Sequence, residues 1–141
     1  MQFRISYQEV QTMVYRKAGK TIVFSYDSTH TVRIGYDITM LFKTTNVGLD
    51  ITVVSVDNNS LHLSYGGGYA IQLMVKQALE HAKNQPGAEM IEAGDGNNLT
   101  IHLDKNPQLQ QILEHVTLED IRFNEHDIIV EFHLKANSPN L

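Results

Sequence analysis

Seven histidines in 141 residues are the first side chains to examine for chemistry. Three recur in one setting: Leu61-His62-Leu63, Ile101-His102-Leu103 and Phe132-His133-Leu134. Strand alternation points each imidazole away from its apolar neighbours. If the three strands were adjacent, three imidazoles could hold zinc and leave one position open. The plainer reading is three polar residues facing water from separate strands. It is preferred, because nothing in the sequence makes those strands neighbours. No metal or other cofactor is therefore expected.

Other chemistry-bearing groups have structural readings. Gly66-Gly67-Gly68-Tyr69 opens a helix, and helix N-termini attract anions. No Lys-Ser or Lys-Thr follows, as a phosphate-cradling loop requires. A corner needing positive φ accounts for the glycines. Asp95, Asn97 and Asn98 suggest an oxygen-ligand loop, but the glutamate that closes a calcium loop is missing. Asp37 is expected opposite Thr52, and Asp50 opposite Thr39, as polar pairs on a wet face; a carboxylate dyad is the alternative. There is no cysteine, no nucleophile elbow and no His-Glu-x-x-His, so an enzyme is not expected.

Composition narrows the function classes further. The length fits one domain, residues 1–141, with 136–141 as a frayed tail. Without cysteine there are no disulfides, which suits a reducing, cytoplasmic location. The net charge of −5 is interspersed, so a basic nucleic-acid footprint is absent. No apolar run approaches a membrane span, so no integral membrane segment is expected. MQFRIS carries no secretory signature.

The elements that must position any site follow from periodicity. Thr31 to Phe42 alternates for twelve residues, with Val32, Ile34, Tyr36, Ile38, Met40 and Phe42 on one face. Such a strand would run roughly 40 Å, which suggests a curved sheet. Before it, Ser6-Tyr7-Gln8-Glu9 is a capping box that opens a helix over 6–18, stopped by Gly19. Antiparallel pairing puts Ile34 opposite Phe24, Phe42 opposite Val47, and Val53 opposite Leu63. All three hairpins then share one apolar face, predicting a meander over about 20–65.

Two later hairpins and two more helices complete the chain. Ile71, Met74, Val75, Ala78, Leu79 and Ala82 form the stripe of a long helix over 69–84, the natural lid for the meander. Ile91 and Ala93 pair with Ile101 and Leu99. Asn106-Pro107 starts a third helix with the stripe Leu109, Ile112, Leu113 and Val116. A last hairpin pairs Phe123 with Ile128 and Ile121 with Val130, with Phe132 and Leu134 continuing its buried side.

The helix entry SYQEVQTMV, the long strand TVRIGYDITMLF, the helix YAIQLMVKQALEHA and the closing NPQLQQILEHV and IRFNEHDIIVEF resemble, in order of elements, the half-domains of the tubular lipid-binding (TULIP) class. That resemblance implies a curved sheet wrapped around a long helix, with lipid held on the apolar face. The expected fold is thus α+β: a curved antiparallel sheet packed on a long amphipathic helix, with two shorter flanking helices. The expected function is a non-enzymatic binding domain for an apolar small molecule or lipid. Its wall would be Tyr36, Ile38, Met40, Ile51, Val53, Met74 and Val75. The alternative is an interaction or self-association module, with a possible homodimer formed through the outer-face residues Leu41, Val54 and Val56 or through a sheet edge.

Overall fold

Ser6 starts the first helix in the way its neighbours require. Its hydroxyl accepts the Glu9 amide at 3.1 Å, and the Glu9 carboxylate accepts the Ser6 amide at 3.4 Å. In this computed structural model, residues 1–57 and 59–136 are described, Met40 by its backbone alone. Asn58 in the expected turn and all but Ala136 of the expected tail lie outside the described residues. The chain order is β1 (Gln2–Ser6), α1 (Tyr7–Ala18), β2 (Ile22–Ser28), β3 (Thr31–Met40), β4 (Lys43–Val56), β5 (Ser60–Gly66) and α2 (Tyr69–Ala82). It continues with β6 (Ile91–Ala93), β7 (Asn98–His102), α3 (Pro107–Leu113), β8 (Val116–Phe123) and β9 (Asp127–Leu134).

The fold is α+β with two open antiparallel sheets. The larger runs β2-β3-β4-β5-β7-β6, and the smaller β1-β9-β8. Ile34 stands opposite Phe24, Val53 opposite Leu63, Ile91 opposite Ile101 and Phe123 opposite Ile128, as the apolar patterns require. One expected pairing is displaced. Tyr36, not Phe42, faces Val47, a shift of six positions. The shift is even, so every side chain keeps its face. Its cause is a two-residue turn, Leu41-Phe42, with φ of 50° and 68°. Bulky residues rarely adopt that conformation, so the turn has no signature in the sequence.

The core lies between the sheets. Tyr7, Val32, Val53 and Phe123 form its centre, with Phe24, Ile51, Val56, Leu63, Ile121 and Ile128 packed around them. The small sheet therefore covers the meander where the long helix was expected to. Helix α2 does reach β4 and β5, but Ile71 is its one buried residue. There Gly67 passes so close to β4 that a Cβ would sit 2.5 Å from the Gly48 carbonyl oxygen. A backbone clamp joins the sheets, the Phe123 amide donating to the Thr29 carbonyl at 2.7 Å, while the Val53 amide of β4 donates to the His30 carbonyl in the β2–β3 turn at 2.8 Å, within the larger sheet. Ile129 lies on the face of β9 opposite Ile128, which packs against the core, and is buried all the same. Arg4 and Arg122 flank it in the register, and their aliphatic stems can shelter it.

Candidate functional site

Helix α3 is short but well begun. The Asn106 carboxamide oxygen accepts the amides of Gln108 and Leu109 at 3.0 and 3.1 Å, and Pro107 fills the first helical position. This start fixes the rotation of the helix, so Leu109, Ile112 and Leu113 share one face. That face and the small sheet bound an apolar cleft of about 460 Å³. Phe3 of β1, Val130 and Phe132 of β9, and Val116, Leu118 and Ile121 of β8 form the sheet wall. Leu61 of β5 and Leu103 close the remaining side.

Leu118 and Ile121 are three residues apart, which strict alternation would place on opposite faces. A bulge between Leu118 and Asp120 inserts one extra residue and turns both inward. Phe3 and Ile112 remain 56% and 55% exposed at the edge of the cleft. The volume lies within the usual range for small-molecule sites, roughly 300–1,000 Å³. Every lining side chain is a hydrocarbon. The cleft thus has no acid, base or nucleophile to offer, and nothing in its wall to pair with a charged headgroup.

The residues singled out in the sequence lie elsewhere. Val53 and Ile51 belong to the solid core between the sheets. Tyr36 and Ile38 are half-buried on β3 beyond that core, and Met74 and Val75 are half-buried on α2. The Met40 side chain lies outside the described residues. None of the other six lines the cleft. Leu41 and Val54 are 92% and 60% exposed, but they sit beyond or near opposite ends of β4. Val56 turns into the core, because a bulge between Val53 and Ser55 reverses its face. The three therefore share no patch.

The helix stripe Leu109, Ile112, Leu113 and Val116 and the hairpin face Ile121, Val130 and Phe132 were legible separately. Their juxtaposition was not. Phe3, Leu61 and Leu103 carry no local signal, because they reach the cleft only through the β1–β9 pairing and the approach of β5 and the segment after β7 to the small sheet.

The strand histidines separate into two sheets. His62 and His102 lie on the neighbouring strands β5 and β7, whereas His133 lies on β9. Each has its own carboxylate: His62 with Asp57 at 3.2 Å, His102 with Glu92 at 2.8 Å and His133 with Glu119 at 2.5 Å. Among the described residues, no three His, Asp or Glu side chains are grouped to hold a metal ion. The β3–β4 register also gives Asp37 and Asp50 partners other than those expected. Asn46 donates to Asp37 at 2.9 Å, and Arg33 pairs with Asp50 at 3.4 Å.

Asp57 is the carboxylate whose acidity the turn alters. Slight desolvation raises its pKa, but hydrogen bonds from His62 and from the Asn59 and Ser60 amides outweigh this and hold it below its ordinary value. The lowered native pKa means the group stabilises the fold above about pH 4, and this contribution is lost as pH falls. Asp57→Ala is expected to lower stability at pH 7 and to flatten its decline below pH 4. Thermal melts of both proteins across pH 2.5–7 check this, and parallel curves would exclude it.

No helix among the described residues is long and apolar enough to cross a membrane. No family model, curated protein or solved structure matches the chain.

Proposed function

We propose that this protein binds an apolar small molecule or lipid chain, without catalysis, in the cleft between α3 and the small sheet. The carrying observation is a volume of about 460 Å³ walled entirely by hydrocarbon side chains and open at Phe3 and Ile112. An empty site of this character leaves apolar surface wet, and filling it returns that surface to a dry environment. The sequence's resemblance, in order of elements, to the tubular lipid-binding class implies the same class of ligand.

The wall chemistry sets the form of recognition. With no cation or hydrogen-bonding side chain in the lining, affinity comes from chain burial, and a polar headgroup stays at the mouth. Long-chain alcohols and acids of equal length are therefore expected to bind alike. Affinity should rise about fourfold for each added methylene, the equivalent of roughly 0.8 kcal/mol, until the cleft is full. Titration of an alkyl series by displacement of a fluorescent apolar probe measures this. Native mass spectra recorded before and after denaturation would identify any chain retained through purification. Affinity independent of chain length, or governed by the headgroup, would overturn the assignment.

A further inference from the structure

We propose that the Leu41-Phe42 tip of the β3–β4 hairpin is a finger that docks on a lipid bilayer surface, an assignment that goes beyond the cleft reading and stands without it. Both residues have positive φ, 50° and 68°. In a two-residue hairpin turn those positions favour Asn-Gly, which reaches such angles with little strain. Here they carry two large apolar side chains, 92% and 106% exposed. The chain thus accepts strain and wet apolar surface at one place. Combined departures of this kind are characteristic of sites kept for contact with something else.

The surroundings favour a bilayer over a protein. Val32 and Val53 anchor the hairpin in the core near its other end, so the turn stands at the far end of two long strands. Behind the tip, the Thr39 and Thr44 hydroxyls hydrogen bond across the strands at 2.9 Å and hold it in one orientation. Within the tip itself, Ile38 to Thr45, Lys43 is the one charge, although the whole chain carries −5, and the nearest carboxylate, Asp37, lies back along the strand opposite Asn46. Lys43, next to the two apolar side chains, is therefore the charge nearest the bilayer and favours an anionic surface. Leu41 and Phe42 together offer on the order of 350 Å², well below the roughly 800 Å² each partner gives to a stable protein interface. A bilayer needs no complementary surface, because its acyl boundary closes around a convex apolar tip.

The test is flotation of the full chain with phosphatidylcholine vesicles, with and without phosphatidylserine, comparing wild type with Leu41→Asn/Phe42→Gly. That double variant installs the relaxed turn, so its thermal midpoint should equal or exceed that of wild type. Its vesicle-bound fraction should fall roughly tenfold or more, while displacement of an apolar probe from the cleft stays unchanged. The chain has no tryptophan. Phe42→Trp therefore gives an independent signal, a blue shift of its emission when vesicles are added. Equal flotation of wild type and double variant, or no flotation of wild type, overturns the proposal. A vesicle-independent dimer of wild type that the double variant abolishes would assign the tip to a second copy of the chain and overturn it equally.

Discussion

Tyr7→Ala is expected to lower the unfolding free energy by about 3–5 kcal/mol, the usual cost of emptying a buried aromatic site. The Tyr7 side chain ties the first helix to both sheets. Tyr7 is 6% exposed and begins α1. Its ring stacks on Phe24 of the larger sheet at 5.2 Å between centroids and 12° between planes. Its hydroxyl donates to the Asn124 carbonyl at 2.5 Å, and its amide donates to the His126 carbonyl at 3.0 Å, both in the β8–β9 turn of the smaller sheet. Removing the ring therefore opens a cavity where helix and both sheets meet. Tyr7→Phe keeps the stack and loses one hydrogen bond, so its cost should be nearer 1 kcal/mol. Urea unfolding of the two variants separates packing from hydrogen bonding. Equal costs would mean that the stack contributes little.

The same residue gives an alkaline signature. Burial, reinforced by the Asp127 carboxylate and the Tyr26 phenol, raises the Tyr7 pKa above its ordinary value of 10.0. A raised native pKa means that folding favours the protonated phenol. Its contribution is complete below about pH 10 and lost as pH climbs through the native value. Tyr7→Phe should be less stable than wild type at neutral pH and lose less on going above pH 10.

The parts of the architecture that rest on local rules were legible in the sequence. The capping box at Ser6, the stop at Gly19 and the start at Asn106-Pro107 each satisfy backbone groups within a few residues. The four hairpins that pair as expected are short-range as well. Three features escaped for separate physical reasons. The β1–β9 pairing joins the two ends of the chain, and five residues of QFRIS cannot name a partner so distant. The Leu41-Phe42 turn breaks the residue preferences by which turns are recognised. The bulges beside Val54 and Glu119 reverse the alternation that assigns faces, turning Val56 into the core and Leu118 into the cleft. The long-helix lid had a different origin. The helix stripe and the meander face each need cover, but the last hairpin has an apolar face of its own, and that face packs on the meander.

Val130→Phe is expected to abolish most binding in the cleft while leaving the fold intact. Val130 belongs to β9, the central strand of the small sheet, between Phe3 on β1 and Ile121 on β8. Its side chain is half-buried and forms part of the wall that a bound chain must cross. A phenyl ring there takes up ligand volume from the middle of the cleft. The loss should be about 1.4–3 kcal/mol of binding energy, or roughly 10- to 100-fold in Kd. The accompanying change in stability is the discriminating measurement. In a tightly packed interior the larger side chain would force neighbours off their rotamers and cost about 1–3 kcal/mol. In an open cleft it covers hydrocarbon already exposed to water, so the thermal midpoint should hold or rise. Probe displacement and thermal melts on one preparation decide the matter. Weak binding with full stability identifies this cleft as the ligand site. Full stability with undiminished binding would move the ligand elsewhere on the molecule, and a destabilised variant would mean that the space between α3 and the small sheet is closed core.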